Sequence, residues 1–220
     1  MRCTSSVHRS CSKNILNRGE KQITGKLANP GPLGLAGFAF TTWMLSMINA
    51  GWFDARSLGM VVALAMAYGG TAQFVAGILE YPRGNTFGMV AFFSYGAFWW
   101  SFALFAHYFG AAVPTAFVGW YLFVWGIFTF YMWVATFRIN RGLQLVFLFL
   151  WLTFVVLGIG AWSHSTLTTQ IGGYLGLITA ILAFYASAAD VINPAFGRDV
   201  LPLHPYSSEP ASKPAKRSAG

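Results

Sequence analysis

Charge is what this sequence has least of. Only 9% of its 220 residues are Asp, Glu, Lys or Arg, and only six are acidic. Soluble domains carry about 25% charged residues, so the chain lacks the polar surface that a soluble domain needs. Cysteine is almost as scarce. Cys3 and Cys11 both lie in the polar N-terminal segment, so no disulfide framework is expected in the body of the protein. The acids Asp54, Glu80 and Asp190 are expected at or beyond the ends of apolar runs, which disfavours a cation pump built on a buried carboxylate relay. His and Cys show no metal-ligand spacing, and Ser, His and Asp form no set able to meet at one site. The glycine-rich segments lack the Lys-Ser/Thr ending of a phosphate loop. An enzyme, a metal or other cofactor, and a nucleic-acid partner are therefore not expected.

What the sequence does have is apolar mass. Hydrophobic residues make up 56% of it, with 21 Phe, 9 Trp and 9 Tyr, and the mean hydropathy is +0.55. A membrane span needs about 20 mostly apolar residues, and six runs of that kind occur, over 32–53, 57–79, 86–108, 117–137, 143–162 and 168–189. The short connections make neighbouring spans antiparallel. The expected class is an all-α polytopic membrane protein with six transmembrane helices in one bundle. Placing both termini in the cytoplasm puts 13 of the 14 Lys and Arg residues on that side, leaving only Arg56 opposite, as the positive-inside rule requires.

Residues 1–28 form a basic tail without the apolar stretch of a secretory signal. Their Arg- and Ser-containing, acid-poor character fits a mitochondrial-type targeting segment or, as preferred here, a disordered tail beside an anionic leaflet. Residues 29–193 are expected to form the six-helix transmembrane domain, and 194–220 a disordered cytoplasmic C-terminal tail.

The first span opens on "NPGPLGLAGFAF", which places prolines and glycines at the start of a hydrophobic helix. Asn29 reads as an N-cap with Pro30 at the first helical position and Pro32 still inside the tolerated first turn. Gly34 and Gly37 leave room for a neighbouring backbone. A helix start of this kind carries unpaired N–H groups and about half a positive charge, which suits a small anion. In "RGNTFG", Asn85 or Thr86 repeats the device at the third span, and Arg138 and Arg141 precede the fifth. If these starts converge they form an anion-friendly vestibule; otherwise they are well-made helix ends. Gly69, Gly70, Ala72, Ala76 and Gly77, and the pair Gly172 and Gly176, read as helix-packing positions. The weakly polar residues inside the spans are Thr41, Thr42, Gln73, Ser94, Tyr95, Ser101, Thr129, Thr153 and Thr179. Of these Gln73 has most need of partners. A path with such a lining suits a solute with one polar head and an apolar stub.

The segments "NPGPLGLAGFAFTT" and "YGGTAQFVAGILEYPRGNTFGMVAFFSYGAFW", with "WGIFT" and "FGRDVLP" further on, resemble the acetate uptake transporter family, the succinate–acetate permeases. The resemblance runs from about Asn29 to Pro202 and departs from the usual signature at Gly31, where Ala is common. It implies transport of acetate and, in some members, succinate, by a protomer with its own pore, assembled as a homo-hexamer in the plasma or inner membrane. It also implies a hydrophobic constriction of Phe38, Tyr95 and Leu150, with Ala183 as a small lining residue nearby. The substrate path is expected to run past the signature (Asn29, Pro30, Gly31, Pro32, Leu33, Gly34 and Leu35) and past Gln73, Asn85 and Thr86, with donors such as the Tyr95 hydroxyl and the Gln73 amide meeting the carboxylate. With no acid mid-span, a co-moving proton would travel with the solute or along hydroxyls. Some members are tied to acetate sensing or ammonium export, which stands as the alternative.

Overall fold

The computed structural model describes residues 27–206. Cys3, Cys11, most of the basic tail and the stretch 207–220 lie outside the described residues. Six helices follow one another: α1 (Gly31–Asn49), α2 (Ala55–Arg83), α3 (Thr86–Phe109), α4 (Thr115–Thr136), α5 (Arg141–Ser163) and α6 (Thr166–Phe196), each long and apolar enough to cross a membrane. Backbone packing joins α1 to α6, α6 to α5, α5 to α4, α3 to α2 and α2 to α1. The ring closes between α3 and α4 through side chains, among them Phe98 stacked on Tyr121 at 5.8 Å and Tyr95 edge-on to Phe128 at 5.3 Å. The helices thus stand in chain order around a central axis.

Small residues let these helices come close. A Cβ on Gly37 would lie 2.7 Å from the Tyr68 carbonyl, one on Gly77 2.9 Å from the Phe93 nitrogen, and one on Gly70 would collide with the Trp100 indole. Gly172 and Gly176 serve different neighbours, Leu157 of α5 and Ser46 of α1. The middle of α2, Ala65–Ala72, is wound as a π-helix, in which Thr71 Oγ1 donates to the Met66 carbonyl at 2.7 Å. Widened turns of this kind re-aim the residues that follow them, and the next residue is Gln73, which is 1% exposed. Hydropathy alone carries no sign of this turn.

Two boundaries differ from expectation. The first helical residue is Gly31, with Pro30 at the cap and Pro32 in the first turn. Asn29 is therefore not the N-cap that was expected; it stands one residue earlier, its Oδ1 accepting from the Gly31 N–H at 3.1 Å. The larger correction is at the other end. Pro194 does not begin a tail; it lies in the last turn of α6, which stops at Gly197 with φ +64°. Asn193 then holds the returning chain, accepting from Val200 N at 2.9 Å and Leu201 N at 2.8 Å and donating to the Leu201 carbonyl at 2.8 Å. Residues 203–206 run on as a strap over the start of α5, where Arg141 N and Gly142 N donate to the His204 and Leu203 carbonyls at 3.2 and 3.3 Å. Tyr206 N donates to Ile139 O at 3.2 Å, and the Tyr206 hydroxyl bonds Gln144. Proline deletes only one helical bond so near a helix end, whereas this segment gains many. Asp190 consequently lies inside α6, not beyond its end.

Candidate functional site: a conduit with an apolar waist

The odd-numbered helices all begin at the same pole, and each begins with an asparagine. Asn29, one residue before the α1 cap, accepts from Gly31 N at 3.1 Å, Asn85 Oδ1 accepts from Gly88 N at 3.1 Å to cap α3, and Asn140 Oδ1 accepts from Leu143 N at 2.7 Å to cap α5. All three line one cavity of about 260 Å³. Along the helices the register is shared. Phe38 stands nine residues after its asparagine, Tyr95 and Leu150 ten after theirs. Thr42, Phe98 and Thr153 each follow by thirteen residues, and Ser46, Phe102 and Leu157 by seventeen; these six line a second cavity of about 560 Å³. Three helical hairpins therefore repeat one pattern around the axis, their first helices forming the wall.

The two cavities share Phe38 and Leu150. Tyr95 faces the smaller one, its ring centroid 5.9 Å from that of Phe38. These three side chains are 5%, 4% and 3% exposed respectively for Phe38, Leu150 and Tyr95. Ten helical residues at 1.5 Å each put this waist about 15 Å from the capped pole, half of a hydrocarbon core. Phe98 and Phe154 crowd it from the far side and Phe147 from the near side. An apolar constriction of this kind sheds water, so a solute crosses it largely dehydrated.

The Tyr95 hydroxyl is not the donor that the sequence reading expected. It lies 2.9 Å from Thr129 Oγ1, and Thr129 donates its own proton to the Trp125 carbonyl at 2.8 Å. Thr129 must then accept from Tyr95, whose single O–H is spent toward α4. What Tyr95 offers the waist is its ring.

The vestibule at the capped pole is polar. Glu80, 1% exposed, meets the Arg83 guanidinium at 3.2 Å, and Gly88 makes room for it, since a Cβ there would lie 3.0 Å from the carboxyl carbon. Arg83 also donates to the carbonyls of Leu27 and Ala28 at 3.0 and 2.6 Å. Asp190 accepts from Asn29 Nδ2 at 3.3 Å. Glu80, Arg83 and Asp190 all line this cavity, as does Gln73, whose buried Oε1 has no partner among the described residues. The larger vestibule contains no Asp, Glu, Lys or Arg.

Of the path and constriction residues expected from the sequence, Asn29, Gly31, Leu35, Phe38, Gln73, Asn85, Tyr95 and Leu150 line the conduit. Pro30, Pro32 and Gly34 shape the start of α1 without lining it; a Cβ on Gly34 would collide with the Phe92 ring. Leu33 and Thr86 are exposed outside both cavities, and Ala183 is buried outside both. The helix starts do converge, but Arg138 and Arg141 stay out of the vestibule, and the strap takes two of the α5 amides. Sequence reading missed Asn140, whose signal is an Asn at the head of an apolar run, as at Asn29 and Asn85. It also missed the inward place of Glu80, Arg83 and Asp190, for which hydropathy holds no cue.

The GPR1/FUN34/yaaH family matches residues 14–202. The succinate-acetate/proton symporter SatP of Escherichia coli (strain K12) is 43% identical over 182 residues, covering 81% of this chain and 96% of its own. Acetate permease A of Emericella nidulans is 36% identical over 207 residues, covering 86% of this chain and 70% of its own. A solved structure described as that of the bacterial acetate channel SatP is similar with a TM-score of 0.78 at 41% identity, covering 81% of this chain and 99% of the solved one. The chain belongs to the GPR1/FUN34/yaaH family and is a multi-pass membrane protein.

Proposed function

We propose that this member of the GPR1/FUN34/yaaH family carries acetate and related short-chain carboxylates, succinate among them, across a membrane through the conduit between its own six helices. The observation that carries the reading is the meeting of two vestibules at Phe38 and Leu150. A conduit so interrupted suits a solute with a polar head and a small apolar end. The names of the relatives supply the solute class. At the capped pole the positive ends of α1, α3 and α5 and the Arg83 guanidinium offset the two carboxylates and attract the head group. The waist of Phe38, Tyr95 and Leu150 selects for the short stub, and the wider vestibule releases the solute beyond it. Leaving a carboxylate without partners in an apolar constriction is costly, so a proton accompanies the solute at the waist. The positive-inside pattern supports a cytoplasmic position for the capped pole. The outward apolar faces, such as Trp120, Val124 and Ile127 of α4, meet lipid and neighbouring protomers of a homo-hexamer.

Uptake of labelled acetate into proteoliposomes, with and without an inward proton gradient, tests the reading. It predicts uptake in both, faster with the gradient. Absence of uptake under either condition contradicts it.

A further inference from the structure

Away from the conduit, the arginines divide into two groups. Arg56 pairs with Asp54 and Arg83 with Glu80. Arg138, Arg141 and Arg198 have no acidic partner within salt-bridge reach among the described residues. Arg138 and Arg141 stand on the turn between α4 and α5, and that turn is held on both sides. Tyr206 N donates to Ile139 O and Arg141 N to His204 O, each at 3.2 Å. Ile139 and Asn140 line the capped vestibule, while Arg138 and Arg141, which flank them, are exposed and line neither cavity. Two guanidiniums are thus fixed outside the conduit, at the level where α4 ends and α5 begins. An apolar face runs from them toward the middle of the membrane. On α4, exposed Tyr131 and Val134 precede Arg138 at the i, i+3, i+7 spacing of one helix face. On α5, exposed Leu145 follows Arg141 by one turn. Trp133 of α4 stacks on Trp151 of α5 with ring centroids 6.0 Å apart, joining the two helices. Of the six helices α4 is the least buried.

We propose that this corner binds an anionic phospholipid of the leaflet at the capped pole, its phosphate held between Arg138 and Arg141 and an acyl chain laid along the apolar face of α4 and α5. Basic residues at the membrane surface attract anionic headgroups, and a guanidinium presents paired donors that match phosphate oxygens. Charge at the helix ends with apolar surface beneath it is the order in which a phospholipid presents its own parts. A second copy of this chain fits the corner less well. Among the described residues the acids are Asp54, paired with Arg56 at the far pole, Glu80 and Asp190, inside the vestibule, and Asp199. A second copy therefore has one exposed acid at this pole to set against two arginines. The lipid also braces the rim of the mouth, because Ile139 and Asn140 lie between the residues that hold it. The proposal needs the chain's place in a membrane and not the identity of the solute that crosses it.

Arg198 supplies the control, since it is exposed at the same pole but stands on the chain that returns after α6. The full-length protein in a mild detergent is titrated with phosphatidylglycerol or with phosphatidylcholine of the same acyl chains, and bound lipid is counted by native mass spectrometry. The wild type should retain phosphatidylglycerol in preference. Arg138→Gln and Arg141→Gln should each weaken that retention about fivefold, the effect of one basic residue beside an anionic headgroup. Arg198→Gln should leave it unchanged, and none of the three should alter the retention of phosphatidylcholine. In nanodiscs, replacing phosphatidylcholine by phosphatidylglycerol should raise the thermal midpoint of the wild type and not that of Arg138→Gln/Arg141→Gln. A wild type without preference for phosphatidylglycerol overturns the site. An equal loss in Arg198→Gln also overturns it, because the attraction would then belong to the whole basic surface. So does a change of oligomer mass in the Arg138 and Arg141 variants with phosphatidylglycerol retained, which would give the corner to a second copy. Each of these results leaves the transport reading untouched, which stands or falls on acetate uptake.

Discussion

The two vestibules of this conduit are built on the same three helices, yet they do opposite electrostatic work. The one at the capped pole is small, about 260 Å³, and holds Glu80, Arg83 and Asp190 beside Asn29, Asn85 and Asn140. The one beyond the waist is about 560 Å³ and has no charged side chain of fixed sign. The difference follows from the direction of the helices. At the capped pole α1, α3 and α5 begin, with the positive ends of their dipoles, while α2 brings Glu80 in its last turn and α6 brings Asp190. At the far pole the same lining helices end, and the wall is left to hydroxyls and rings. Discrimination by charge is therefore confined to one mouth, and discrimination by size to the waist between them.

Removing charge from the capped mouth should have the largest effect. Arg83→Gln strands the Glu80 carboxylate in a buried place. Breaking a buried pair is strongly destabilising, and with Arg83 partly open to solvent the loss is about 2–3 kcal/mol, read by thermal unfolding in detergent. The double variant Glu80→Gln/Arg83→Gln should recover most of it, because no lone charge remains. If Arg83→Gln alone leaves the midpoint unchanged, the polar mouth is not held by this pair.

Loss of a cap comes next. Asn140→Ala removes the acceptor for Leu143 N and should cost about 1 kcal/mol. The strap across α5 limits the damage, since Arg141 N and Gly142 N keep the His204 and Leu203 carbonyls. Adding Asn193→Ala, which frees the strap, should cost more than the sum of the two single changes. Simple additivity would mean that the strap and the cap do not support the same turn.

The smallest effect on transport is expected at the waist tyrosine. Tyr95→Phe deletes the bond to Thr129 and should lower stability by about 1 kcal/mol, while acetate uptake stays near that of the wild type. A collapse of uptake in a stable Tyr95→Phe protein would restore the hydroxyl as a donor to the solute.

Much of this molecule was legible before its structure. Six helices followed from the length and spacing of the apolar runs, because in lipid the backbone must satisfy its own hydrogen bonds and hydropathy marks where it does so. Asn85 was legible as a cap because capping is a local rule, whereas at α1 the cap fell one residue later than read, on Pro30. The waist trio came from family resemblance; nothing in the composition separates Phe38 from the many other phenylalanines. Other features depend on tertiary placement and stayed hidden. Glu80 looked like an ordinary helix-end acid until Gly88 and Arg83 were seen to fold around it. Pro194 looked like a terminator because propensity cannot see Asn193 clasping Val200 and Leu201. The π-turn before Gln73 has no periodic signature, and the direction of the Tyr95 hydroxyl depends on Thr129, a residue 34 positions away.

The most direct test of the account is the ratio of lactate to acetate uptake in proteoliposomes bearing wild type, Phe38→Ala and Leu150→Ala. Both side chains border both vestibules, so trimming either should open the waist and raise the ratio at least several-fold, acetate uptake being kept. Ratios unchanged in both variants, with the proteins folded and carrying acetate, would show that the constriction lies elsewhere and would contradict the account.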